Sequence, residues 1–167
     1  MNAAINRSGP IVIAYDGSPA ADHAVRESGA LLEGQAALVV VIWKQGLGFE
    51  FLEFPTATPG LPPAQLDVRA AVEVDEASRE RAQLLAQMGA ELARQAGFDA
   101  EGLAIAEDVE VELSETILDV ARKRDARAIV IGAHGKGGAA EIILGSTTRS
   151  VVRHAPCPVL VVREHEA

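Results

Sequence analysis

The chain predicts an α/β fold in which a parallel sheet is wound with helices on both faces. Three observations carry this expectation. Residues 10–15 (PIVIAY) and 37–43 (ALVVVIW) are apolar without alternation, as strands covered on both sides are. Between such runs lie segments of helical period with capping residues at their starts and glycine at their ends. The two signals alternate as βαβαβαβαβ, an order that right-handed crossovers turn into a parallel sheet. No internal repeat of the unit and no second composition zone break the pattern, and 167 residues suit one domain. Residues 1–9 are expected to be a flexible start, 10–163 the domain, and 164–167 a short tail.

The first strand, 10–15, is broken by Asp16-Gly17-Ser18-Pro19. Ser18 is a good helix N-cap, with proline at the first helical position. That helix is expected to run through Ala24, Val25 and Leu31 to Gly34. The second strand is 37–43. Residues 44–65 carry Pro55, Pro59, Pro62 and Pro63 and read as a long loop. The loop holds Phe49, Phe51 and Phe54, and the reading favoured for it is a hydrophobic flap over the sheet edge. Residues 68–96 read as a long helix closed by Gly97, with Val74, Ala77, Leu84, Leu85, Met88 and Leu92 on the inward face. Residues 103–111 form a weaker strand. Ser114 is expected to cap a short helix with Ile117, Leu118 and Ala121 inward. Residues 128–131 are the fourth strand, 146–154 the last helix, and 159–162 the fifth strand.

Bulk properties narrow the function. The net charge of −9 disfavours nucleic acid and anionic membrane surfaces. A nucleotide stays admissible, because backbone N–H groups bind phosphate without net positive charge. No apolar run reaches the roughly 20 residues a membrane span needs. No signal peptide is evident, and the single cysteine, Cys157, suits a reducing compartment and is expected to be buried and inert. These features predict a cytoplasmic protein. Glu107, Asp108, Glu110 and Glu112 read as a solvated acidic stretch rather than a metal site.

The segment that carries chemistry is GAHGKGGAAEIILGSTT, residues 132–148. It leaves a buried strand and ends at a helix start. Glycines allow close backbone approach, and the helix N-terminus offers unpaired N–H groups and a positive dipole end. Ser146, Thr147 and Thr148 add hydroxyls, so the segment suits a polyphosphate. The Walker A spacing is absent, and a superficial dinucleotide fingerprint at 135–140 lacks the acidic residue that should end the following strand.

Gly132-x2-Gly135-x9-Gly145-Ser146 resembles the ATP-binding motif of the universal stress protein family. Its flanks, AIVIG before and RSVVRHAPCPVLVVR after, and the opening PIVIAYDGS are similar to that family too. The resemblance spans residues 10–163. It implies a five-stranded parallel sheet of order 3-2-1-4-5, with the ligand in the crevice where strands one and four part. It places Asp16 at the ribose or adenine end and the backbone of Trp43 beside adenine, where the indole either stacks on the base or crowds it. It places Gly132, His134, Gly135, Gly145, Ser146 and Thr147 around the phosphates, with Lys136 and Arg149 neutralising charge. ATP is the implied ligand, with AMP and cyclic AMP as alternatives and Mg2+ carried on the phosphates. A homodimer through the last strand is implied as well. The chain departs from the family's glycine and proline before the third helix, where Val111 and Leu113 stand. The functional expectation is an ATP-binding stress-response or signalling protein. The alternatives are a slow nucleotide hydrolase or phosphoryl-transfer enzyme, or a ligand-free interaction module. No catalytic set is evident beyond His134 as a base, which allows at most a weak ATPase.

Overall fold

The computed structural model describes residues 8–46, 68–108, 111–134 and 144–163. The elements are β1 (Ile11–Ala14), α1 (Pro19–Leu31), β2 (Ala36–Gln45), α2 (Val68–Gln95), β3 (Asp99–Asp108), α3 (Leu113–Lys123), β4 (Ala128–Gly132), α4 (Ser146–His154) and β5 (Val159–Val162). The sheet has five strands in the order β3-β2-β1-β4-β5, and all described pairings are parallel.

Side chains on successive strand residues point to opposite faces, so each strand feeds two cores. Ile11, Ile13 and Tyr15 of the first strand and its exit, with Val39 and Val41 of β2, pack against Ala24 and Val25 of α1 and the alanines of α2. Val12, Val40, Ile129 and Ile131 face Ile117 and Leu118 of α3 and Val151 of α4. The doubly wound fold read from the sequence is the fold observed. Ser18 caps α1 by accepting the Ala21 N–H at 3.1 Å, with Pro19 at the first helical position. Gly34 and Gly97 take φ of +75° and +103°, which glycine alone adopts without strain, where the chain turns back toward the sheet.

Several local expectations are corrected. The buried stripe of α2 is Ala71, Ala82, Ala86, Gly89, Ala90 and Ala93. Val74, Leu84 and Met88 are exposed, and of the expected inward residues Leu85 and Leu92 join the core. The reason is the floor beneath the helix. Strand β3 presents Ala100, Gly102 and Ala104 there, and a floor without bulk draws in the face of the helix without bulk. Strand β2 runs on to Gln45, so Lys44 belongs to the sheet, and β3 starts at Asp99 because all its first residues find register partners on β2. The remainder of the expected loop, with its phenylalanines, lies outside the described residues.

Ser114 is not the cap of α3. Glu112 is at that position and makes no side-chain capping bond, while Ser114 is buried in the first turn and donates to Glu112 Oε2 at 3.4 Å. Cys157 is half-buried rather than buried. Glu107 is not solvated: its side chain is 1% exposed and ion-paired with Lys44 at 3.0 Å. Among the described residues, no helix is long and apolar enough to cross a membrane, and no cluster of potential metal ligands occurs.

Candidate functional site

Strands β1 and β4 are neighbours, but the connection from β1 turns to one side of the sheet and that from β4 to the other. Their C-terminal ends therefore part and leave a crevice. Its volume is about 480 Å³, within the range of small-ligand sites. The lining brings together residues far apart in sequence: Asp16 after β1, Gly132 at the end of β4 and His134 beyond it, and Gly145, Ser146 and Thr147 at the start of α4. Val40 and Ile42 of β2, with Leu113 and Ile117 of α3, form an apolar wall.

The end of the crevice at α4 is built by backbone. Gly145 donates its N–H to the Ala133 carbonyl at 2.9 Å, and Ala133 donates to Val162 of β5 at 2.8 Å, so the start of α4 is tied to the sheet. Thr148 is buried and donates its hydroxyl to the Gly132 carbonyl at 2.9 Å, closing that tie from the helix side. Gly145 is the N-cap residue and provides no side-chain bond to the first turn. Among the described residues no side chain caps that turn, and Ser146 and Thr147 at its start line the crevice, an arrangement suited to an anion.

Asp16 takes part in its own turn, accepting the Ser18 N–H at 2.9 Å. Next to it, Tyr15 donates its hydroxyl to Asp22 Oδ1 at 2.5 Å and pins the first turns of α1 to the end of β1. Burial pushes the Tyr15 phenol well above its ordinary range, and the bond to Asp22 and the charges of Asp22 and Asp16 add to that. The unfolded phenol ionises near pH 10 or so, while the folded one holds its proton longer. Its contribution is thus complete below about pH 10 and lost as pH rises above it. Tyr15→Phe is expected to lower stability by about 1–2 kcal/mol at pH 7, and the difference should shrink above about pH 10. Urea unfolding of both proteins across that range measures it, and Tyr15 is the only tyrosine, so phenolate absorbance follows it directly. A difference that holds constant through alkaline pH would count against the assignment.

Trp43 is not brought to the crevice. It lies in the odd-numbered series of β2 with Val39 and Val41 and packs into the core under α1 and α2. The indole therefore lies on the opposite face of β2 from Ile42, while the Trp43 backbone remains next to that crevice-lining residue. Arg149 donates to the Leu144 carbonyl at 3.3 Å from an exposed position. Gly135 and Lys136 lie outside the described residues. The apolar wall was missed in the sequence. Strand parity supplies the signal for Ile42, since Trp43 and Ile42 cannot share a face. Nothing local marks Leu113 and Ile117, which reach the crevice only because α3 crosses that sheet face.

A doubly wound parallel sheet with a crevice at its switch point defines the class of α/β domain in which ligands are held at the C-terminal strand ends. Residues 49–163 match the universal stress protein family, and the chain belongs to that family. A universal stress protein of Thermus aquaticus, encoded beside a QAH/OAS sulfhydrylase, is 29% identical over 92% of this chain and 97% of its own. The solved structure of universal stress protein MJ0577 from Methanocaldococcus jannaschii superposes with a TM-score of 0.67 at 20% identity, covering 94% of this chain and 98% of that one. The universal stress protein of Archaeoglobus fulgidus, solved in complex with dAMP, has a TM-score of 0.56 at 24% identity and covers 93% and 98% of the two chains.

Proposed function

We propose that this protein is an ATP-binding stress-response and signalling protein of the nucleotide-binding branch of its family. The base and ribose lie between Asp16 and the apolar wall of Ile42, Leu113 and Ile117. The phosphates lie against the segment 132–146, with Gly132, His134, Gly145, Ser146 and Thr147 around them and Gly135 and Lys136 in the same motif. Mg2+ accompanies the phosphates. The reading is of a binding protein that works in the cytoplasm and signals through its loaded state. Pairs of chains join along β5, the open edge of the sheet, whose Val159–Val162 side chains are only half-buried.

The observation that supports this reading is the uncapped start of α4 opening into a crevice that Asp16 also lines. The Archaeoglobus protein's dAMP, on the same fold, favours an adenine nucleotide as the ligand. Mass spectrometry of nucleotide released from freshly purified protein, with a thermal-shift series, tests it. Ligand at a hundred times its Kd is expected to add about 2.7 kcal/mol, which raises Tm by about 5–10 °C. An empty purified protein whose Tm is unmoved by ATP, AMP and cyclic AMP would overturn the reading.

A further inference from the structure

Lys44 and Glu107 are register partners at the C-terminal ends of β2 and β3. Both continue the even- or odd-numbered series that faces α3, after Ile42 on β2 and Ile105 on β3. The Glu107 side chain is 1% exposed and that of Lys44 28%. Glu107 Oε1 accepts the Thr116 hydroxyl of α3. Among the described residues its Oε2 has no partner in hydrogen-bonding geometry, and it is met by the Lys44 ammonium at 3.0 Å, a charge contact. The same ammonium donates to the Val111 carbonyl at 2.6 Å.

A buried ion pair is a poor way to gain stability, because desolvation offsets the attraction, and an apolar pair of equal volume does as well or better. Its better-attested use is to hold one geometry. What this pair holds is the start of α3, grasped at Val111 before the helix and at Thr116 in its first turns. Its N-cap residue, Glu112, makes no side-chain capping bond to that start. Leu113 and Ile117 stand on either side of Thr116 and line the crevice with Ile42. Leu113 is 40% exposed, an apolar face left uncovered in the crevice wall.

We propose that Lys44 and Glu107 are positioning residues which, through Thr116 and the Val111 carbonyl, fix the apolar wall of the crevice and so set its preference for adenine over guanine. The inference rests on the nucleotide-binding reading above. A tightly held apolar wall leaves the extra polar groups of guanine unpaired, and a loosened one admits water to pair them.

The test uses the full chain with Thr116→Val, Thr116→Ser and Lys44→Met, titrated with AMP, GMP and inorganic triphosphate. Thr116→Val is expected to weaken AMP binding on the order of tenfold, since α3 loses the anchor that holds Leu113 and Ile117 in place before the ligand arrives. The AMP-to-GMP affinity ratio should fall toward one, triphosphate affinity should match the parent, and Thr116→Ser should restore both. Lys44→Met should act in the same direction, and if it does not fold, Thr116→Val decides alone. A lowered Tm with unchanged AMP affinity and unchanged ratio would reduce the pair to a structural role and overturn the proposal. Equal losses of AMP and triphosphate would overturn it too. A parent chain that binds triphosphate and AMP while the variants do likewise sinks this inference alone; a parent that binds neither sinks the nucleotide reading with it.

Discussion

Gly145→Val is expected to abolish nucleotide binding while leaving a folded protein. The φ of Gly145 is −54°, which any residue adopts. Among the described residues, a Cβ there would meet the Ala133 carbonyl oxygen at 3.5 Å and nothing else closer than 3.9 Å, ordinary contact distances. The folded state therefore accepts the side chain, at a cost of about 1 kcal/mol for an apolar residue at an N-cap. The added methyls stand at the start of α4, between His134 and the first-turn amides, where an anion has to approach. Losing two charge-assisted hydrogen bonds amounts to about 3 kcal/mol or more, over a hundredfold or so in Kd. Isothermal titration with ATP and circular dichroism of the same sample separate the two effects. Parent-like affinity in a folded variant would remove the α4 start from the site. Gly132 is the less clean choice for this test, because a Cβ there meets the backbone oxygens of His134 and Ala20 at 3.3 and 3.4 Å.

Gly102→Ala is expected to destabilise the fold without touching the site. A Cβ at Gly102 would stand 2.4 Å from the Ala86 carbonyl oxygen and 2.6 Å from its carbon. Both are backbone of α2, so no rotamer change relieves the clash, and the whole helix has to lift from β3. Lifting it opens the alanine seam along Ala82, Ala86 and Ala90, where close approach is the source of the packing energy. The loss is expected near 3 kcal/mol, the upper end of overpacking costs, or about 6–12 °C in Tm. The crevice is made by other elements, so ligand at saturation should still raise Tm by the same increment as in the parent. A variant melting within a degree or so of the parent would show that the helix does not lie this close to the strand.

The architecture was legible because its signals are local and redundant. Val12, Val39 and Ile129 stand in runs too apolar for a solvated face, and Ser18-Pro19 with Gly34 brackets α1. Gly132, Gly145 and Ser146 were legible as neighbours for the same reason: they lie in one stretch, and the fold brings them to one crevice. The inward face of α2 was not legible, because hydrophobicity ranks Leu84 and Met88 above alanine. The facing strand takes whichever side lets backbones approach, and the strand's own Gly102 is more than 15 residues from Ala86.

Sequence by itself determined the alternation of strands and helices and the family, since each depends on neighbours within a few residues. The tertiary structure alone decided that Ile42 and not Trp43 faces the crevice, that Leu113 and Ile117 close it, and that Glu107 is buried against Lys44. Those outcomes depend on which helix crosses which face of the sheet and at what register. The interactions that choose between them act across space, between residues as far apart as Lys44 and Val111, and leave no mark on either segment alone.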